Sequence, residues 1–335
     1  MINWGIIGCG SVTEVKSGPA FNRVQGSRLL AVMRRNRELA GDYARRHNVP
    51  KVYDNSTDLI NDPEINAVYV ATPPGSHKEY ALQTIAAGKP VYIEKPMALN
   101  FEECKTINEA AEKRNIPVFV AYYRRTLPGF LKVKELIESG TIGNVRYVSI
   151  RLFNSPSEDE RAGRLPWRVD PEISGGGHFF DLASHQLDYL DFLLGPAEKV
   201  RSVVLNHAGL YSAEDYVSAE LLFPNDVAAT GTWCFSLSQA NNTDTIEIFG
   251  EKGNIKFSCF TFEPITLTNG YGTREYLNER PANVQFYLIG HIVKALEGHG
   301  TSPSTGITAA RTSKVMDEIV ADYYKKDKSV ETLKG

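Results

Sequence analysis

A doubly wound parallel α/β domain followed by an α+β domain on a largely antiparallel open sheet is the fold class this sequence predicts. Three observations carry the prediction. Over the first 123 residues short apolar runs alternate with helix-like segments, the signature of a parallel sheet with crossover helices. The first run, residues 2–7, passes directly into Gly8-Cys9-Gly10-Ser11-Val12-Thr13, and a glycine pair after a strand lets the backbone turn tightly and approach a pyrophosphate at the next helix N-terminus. Beyond residue 140 the pattern changes to strands joined by short turns. At 335 residues the chain exceeds the size at which single cores stop growing, so two domains are expected. The change of pattern divides them into a dinucleotide-binding Rossmann domain at 1–123 and a substrate-binding and oligomerisation domain at 124–335.

The elements follow in order. Strand-like runs recur at 29–33, 67–71, 91–94 and 118–122, with helix-like segments at 37–47 and 77–87. Gly8, Gly10, Ser11 and Val12 form the predicted pyrophosphate turn. Thr13 replaces the usual third glycine or alanine, so strand and helix are expected to pack less closely there. The second strand ends Met33-Arg34-Arg35-Asn36-Arg37, without the carboxylate that binds the ribose hydroxyl in NAD-selecting proteins. An arginine there pairs with a 2′-phosphate, so NADP is expected over NAD. The alternative is that Arg35 stacks on adenine and Arg34 faces solvent. Lys95 stands beyond the run 91–94, at the sheet edge where ligands bind.

A helix at 129–139, closed by Gly140, leads into strands at 145–153, 200–206, 216–223, 227–235, 245–249 and 254–258. Turns at Pro224-Asn225-Asp226 and Gly250-Glu251-Lys252-Gly253 join neighbouring strands. Val217, Ala219 and Leu221 alternate with Ser218 and Glu220, so part of the sheet has a wet or partner-facing side. A broad open sheet points to a homo-oligomer, a dimer or tetramer, with a monomer as the alternative. The last helices, 284–297 and 306–324, fit either domain.

Gly175-Gly176-Gly177 opens a helix predicted to run to Leu194 and stop at Gly195-Pro196. Phe179, Ala183, Leu187, Leu190 and Leu194 form a core stripe, whereas Asp181, His185 and Asp188 recur on another face. An Asp one turn before a His can fix the imidazole tautomer and leave the other nitrogen to exchange a proton with substrate; the alternative is a solvated helix face. Three consecutive glycines are best used for close approach of backbone to a ligand or another element. A metal held by His178, Asp181 and His185 is set aside, since no further His or Cys has suitable spacing.

Hydrophobic residues are 42% and charged residues 23%, with net charge −3 and no block of like charge. Neither a nucleic acid nor a membrane is therefore expected as partner. No positively charged leader or membrane-length apolar run is visible. Cys9, Cys104, Cys234 and Cys259 show no CxxC spacing, which fits free thiols in a reducing, cytoplasmic compartment.

The ordered set Gly8-Cys9-Gly10, Ala71-Thr72-Pro73, Glu94-Lys95-Pro96, Arg124-Arg125 with Pro128, Gly140 to Gly143, Trp167-Arg168 and Gly175 to Asp188 resembles the Gfo/Idh/MocA oxidoreductases over nearly the whole chain. By that resemblance Lys95, Asp181 and His185 are the catalytic residues, and a hydride passes between nicotinamide and a secondary alcohol or carbonyl. His185 is then the proton donor or acceptor, Lys95 orients and polarises the reacting oxygen, and Asp181 holds substrate or His185. The resemblance adds Thr72, Pro73, His77, Glu94 and Lys95 to the dinucleotide contacts and implies a cis Lys95–Pro96 bond. Tyr123, Arg124, Trp167, Arg168 and His178 join Asp181 and His185 as expected substrate contacts, suited to a sugar, polyol or related cyclic compound because arginine donates several hydrogen bonds and aromatics pack on sugar faces. Tyr123, His178 and Ala183 depart from the family pattern and bear on substrate choice. Two other readings share the scaffold, a non-catalytic NAD(P)-binding sensor, against which Lys95 and His185 speak, and an NAD-dependent glycosidase.

Overall fold

A computed structural model describes residues 1–331 of the chain. It forms two compact units, one of residues 1–127 with 280–310 and the other of 128–279 with 311 onward.

The first unit carries β1 (Ile2–Ile7), β2 (Ser27–Met33), β3 (Lys51–Tyr53), β4 (Ala67–Val70), β5 (Val91–Ile93) and β6 (Val118–Val120). They form one parallel sheet in the order β3-β2-β1-β4-β5-β6. Its central strands are buried without alternation, four of four residues in β4 and three of three in β5, because crossover helices cover both faces. The helices are α1 (Ser11–Val15), α2 (Gly18–Phe21), α3 (Arg37–His47), α4 (Ser56–Asn61), α5 (His77–Ala86) and α6 (Phe101–Arg114). Asparagines delimit several of them: Asn36, Asn55 and Asn100 accept an N-terminal amide on their side chains. Asn48 and Asn115 close α3 and α6 in the left-handed conformation that asparagine tolerates.

The second unit contains α7 (Pro128–Glu138), β7 (Val145–Phe153), α8 (Glu158–Arg161), α9 (Pro171–Ser174), α10 (His178–Leu194), β8 (Lys199–Leu205), β9 (Tyr216–Phe223), β10 (Val227–Cys234), β11 (Thr243–Gly250), β12 (Gly253–Phe257), β13 (Ile265–Asn269) and β14 (Gly272–Tyr276). Its sheet runs β14-β13-β12-β11-β7-β10-β9-β8, antiparallel throughout except for the β7–β10 pair. Val217, Ala219, Leu221 and Phe223 of β9 are buried, and their neighbours lie on a half-exposed outer face. The expected turn at 224–226 is present, with Asn225 and Asp226 both at positive φ. The short strand β3 and the hairpin β13–β14 were not read from the sequence; β14 has four exposed residues of five, so no buried face imposes alternation on it.

The sequence boundary assigned everything beyond 123 to one domain, whereas residues 280–310, including α11 (Phe286–Leu296), return to the first unit. Polar side chains anchor the return. Asn283 donates to the carbonyl of Val15 at 2.6 Å and accepts from Arg23 at 3.0 Å. The last helix, α12 (Gly306–Glu331), belongs to the second unit from Arg311 onward.

Candidate active-site residues and family

In the first unit the expected residues gather at the carboxyl edge of the parallel sheet, around the point where strand order reverses between β1 and β4. Gly8 turns the chain at φ +92°, and a Cβ there would lie 2.7 Å from Thr72 Cγ2 and 3.0 Å from backbone atoms of Ala71 and Thr72. Gly10 is extended, and a Cβ on it would meet only the Gly8 carbonyl oxygen, at 3.9 Å. It leaves an open face in front of α1, whose N-cap has no side-chain partner. A dinucleotide diphosphate fits this cradle, with Ser11 exposed and Val12 half-buried beside it. Cys9 points inward, and burial pushes its thiol up to about 11. Thr13 does not loosen the packing as expected: it is fully buried, its hydroxyl bonds back to the Gly10 carbonyl at 2.8 Å, and its own carbonyl accepts from Tyr43.

Arg34 and Arg35 are exposed beyond β2, and among the described residues neither forms an ion pair. Arg37 and Arg46, by contrast, are engaged by Asp54 and by Glu14 with Asp42, and Asn36 is occupied in capping α3. Thr72 is half-buried and Pro73 exposed beyond β4. Lys95 is half-buried beyond β5, and its bond to Pro96 is cis.

Two expected dinucleotide contacts lie behind this edge instead. His77 is fully buried, with Nε2 2.7 Å from the Thr72 carbonyl and Nδ1 3.1 Å from the Pro96 carbonyl. Burial holds its pKa below the ordinary 6.5. The ring braces two edge loops against each other and presents no nitrogen outward. Glu94 is 6% exposed; its Oε1 accepts from Gln285 Nε2 at 2.6 Å and from the Tyr69 hydroxyl, and its Oε2 accepts from the Lys95 amide at 3.1 Å. Gln285 in turn accepts from the Tyr92 hydroxyl at 2.8 Å. Burial raises both phenols, which stay protonated donors. This interior network sets the backbone at Lys95. Tyr123 and Arg124 follow β6 and are buried, the guanidinium 5.0 Å above the phenol ring.

In the second unit α10 carries His178, Asp181 and His185, and Trp167 and Arg168 stand in a short turn before α9. Asp181 accepts from Arg168 Nε at 3.1 Å in a half-buried ion pair, and Arg168 lies 4.6 Å over the Trp167 ring. His178 Nε2 sits 2.6 Å from Glu160 Oε1. Burial alone would raise that carboxyl, but its bonds to His178 and Ser157 outweigh it and hold the pKa below the ordinary value. Glu160 was not among the expected residues, although Ser157-x-x-Glu160 is a capping-box signature. His185 is 4% exposed, with Phe260 edge-on at 6.0 Å.

The helix face expected to be polar is largely interior. Asp188 is fully buried and accepts from Thr312, while Asp191 pairs with Arg311 through two 2.7 Å contacts. On the sheet side Gln186 accepts from Trp233 at 2.7 Å. Packing of α12 and the sheet around α10 makes these groups internal partners. The glycines before α10 serve the same packing: a Cβ on Gly176 would strike the Phe180 ring at 2.2 Å, and one on Gly177 the Glu214 carbonyl at 2.8 Å. Glu214 also accepts the Gly177 amide at 2.9 Å, and burial pushes its carboxyl up.

Fold and glycine turn together define a two-unit dinucleotide-binding protein with a Rossmann domain. Residues 2–122 match the family described as "Oxidoreductase family, NAD-binding Rossmann fold", and 130–256 the "GFO/IDH/MocA C-terminal domain". The chain belongs to the Gfo/Idh/MocA oxidoreductase family. It is 43% identical to an oxidoreductase of Formosa agariphila, over 94% of this chain and 97% of that protein. It is 29% identical to the 1,5-anhydro-D-fructose reductase of Ensifer adhaerens, over 91% of each. The solved levoglucosan dehydrogenase in complex with NADH and L-sorbose has the same fold, with TM-score 0.87, 24% identity and 97% of each chain covered. Among the described residues no helix is long and apolar enough to cross a membrane, and no group of three ligand-type side chains is placed to hold a metal ion.

Proposed function

We propose that this oxidoreductase transfers a hydride between a nicotinamide cofactor, NADP favoured over NAD, and a secondary alcohol or carbonyl of a sugar, polyol or related cyclic compound. The bound cofactor supplies or accepts the hydride. His185 gives or takes the proton, and its burial on α10 supports the role by fixing the ring. Lys95, with its backbone set by Glu94, orients and polarises the reacting oxygen. The observation that carries the substrate class is the Trp167–Arg168–Asp181 arrangement, a stacked guanidinium and a half-buried carboxylate one helical turn before His185. It offers donors and acceptors for neighbouring hydroxyls. The sugar-directed names of the relatives, a 1,5-anhydro-D-fructose reductase and a levoglucosan dehydrogenase, point the same way.

The NADP preference rests on Arg34 and Arg35, two cations without an internal carboxylate at the end of β2. The outer face of the eight-stranded sheet supports a homo-oligomer, since Val203 and Leu205 are 56% and 41% exposed there. Four buried cysteines fit the reducing cytoplasm.

The test is turnover of a panel of sugars and cyclitols by wild type, Lys95→Ala and His185→Ala. Both variants should lose orders of magnitude in kcat while NADPH affinity stays within a few fold. Near wild-type turnover by either overturns the assignment of that residue.

A further inference from the structure

The segment between β12 and β13 is held far more firmly than an exposed connection requires. Asp244, at the start of β11, accepts three successive backbone amides on one carboxylate, from Cys259 at 3.0 Å, Phe260 at 2.6 Å and Thr261 at 3.2 Å. Ser258 Oγ accepts the Glu263 amide at 3.0 Å, and Asn278 donates to the Glu263 carbonyl at 3.3 Å. Within this clamp Phe262 adopts φ +57°, a conformation unfavourable for a bulky residue that persists only where surrounding bonds over-determine it. The segment carries Phe260, half-buried, with its ring 6.0 Å from the His185 imidazole of α10 and inclined to it at 71°.

We infer that Phe260 determines substrate specificity, as the apolar wall against which the carbon-bearing face of a cyclic substrate packs, with Asp244 as its positioning residue. The inference rests on His185 as the proton donor or acceptor. A pyranose or cyclitol ring turns an apolar C–H face to one side and its hydroxyls outward. Trp167, Arg168 and Asp181 supply polar partners near α10, and Phe260 supplies the apolar one. An open-chain polyol has no such flat face and gains little from an aromatic ring. Strain and clamp have a use in this arrangement, because a wall displaced by an ångström no longer orients the carbon that reacts.

The experiment compares KM and kcat for D-glucose, myo-inositol and levoglucosan with those for D-glucitol, in wild type, Phe260→Ala, Phe260→Trp, Asp244→Ala and Asp244→Asn. Aromatic packing of this kind corresponds to about a 3- to 10-fold effect. Phe260→Ala should raise KM for the ring substrates by that factor with kcat within about threefold, leave D-glucitol unchanged, and be rescued by Phe260→Trp. Asp244→Ala should reproduce the ring-selective rise, and Asp244→Asn, which keeps an accepting oxygen, should recover part of it. NADPH affinity, measured by fluorescence, should stay at the wild-type value throughout and so report intact folding. Equal changes for ring and open-chain substrates, or none, overturn the inference while the function stands. A fall in kcat alone also overturns it. If His185→Ala retains turnover, or wild type turns over no sugar of the panel, the proposed function fails and this inference fails with it.

Discussion

Gly8 and Gly10 look interchangeable in the sequence, yet the structure assigns them opposite sensitivities. Gly8→Ala puts a side chain at φ +92° and its Cβ 2.7 Å from Thr72 Cγ2, with backbone of residues 71 and 72 at 3.0 Å. The conformation costs roughly 1–2 kcal/mol, and forcing a methyl into packed backbone adds about 1–3 kcal/mol. At about 2–4 °C per kcal/mol for a domain of this size, the melting temperature of the first unit should fall by roughly 4–20 °C. Gly10→Ala meets nothing closer than 3.9 Å in an extended conformation that any residue adopts, so melting should be unchanged. Its methyl instead occupies the open face of the diphosphate cradle. Loss of one hydrogen bond to a charged group is worth about 1.5–3 kcal/mol, which is roughly a 10- to 100-fold weaker dissociation constant. Calorimetric titration with NADPH and differential scanning calorimetry of both variants read the two effects separately. Wild-type NADPH affinity in Gly10→Ala refutes the cradle, and wild-type melting in Gly8→Ala refutes the steric argument.

Three further outcomes are expected. Replacing both Arg34 and Arg35 by alanine should weaken NADPH about tenfold or more and NADH by less than about threefold; equal losses in titration would remove the basis of the NADP preference. Gln285→Leu leaves the Tyr92 hydroxyl and Glu94 short of a buried partner and should cost about 1–3 kcal/mol. Arg37→Ala, which removes an ion pair exposed at 72% and 43%, should cost less than about 1 kcal/mol, and urea denaturation of the two variants checks the contrast. His77, with its pKa lowered by burial, takes up a proton at lower pH in the folded state than in the unfolded chain, which titrates near 6.5. Between the folded value and 6.5 the unfolded state binds more protons, so stability rises with pH and is lost on acidification. The stability advantage of wild type over His77→Gln should therefore shrink as pH falls below 6.5, and an advantage constant from pH 7 to 5 would contradict the assignment.

Where local pattern and global packing ask the same thing of a residue, the sequence was readable. The apolar runs of the first sheet and the alternation of β9 each correspond to one burial requirement, both faces covered in the first case and one in the second. The glycine turn was readable because a tight turn after a strand has few other solutions. Less readable were residues whose partners lie far along the chain. Gln285 reaches Glu94 across 191 positions and Asp188 meets Thr312 across 124, and no local spacing encodes either meeting. His77 and Glu94 were expected as dinucleotide contacts by resemblance, and both are buried among protein partners.

By itself the sequence determined the two kinds of sheet, the place of the glycine turn, the absence of a carboxylate at the end of β2, and which residue types stand on α10. Those are properties of short windows, governed by backbone conformation and the period of apolar residues. The tertiary structure alone decided that residues 280–310 return to the first unit, that the glycines before α10 admit Phe180 and Glu214, and that Asp244 clamps the segment bearing Phe260 beside His185. A buried polar group must find its partner wherever the fold brings one, and that choice is made by packing between segments distant in the chain.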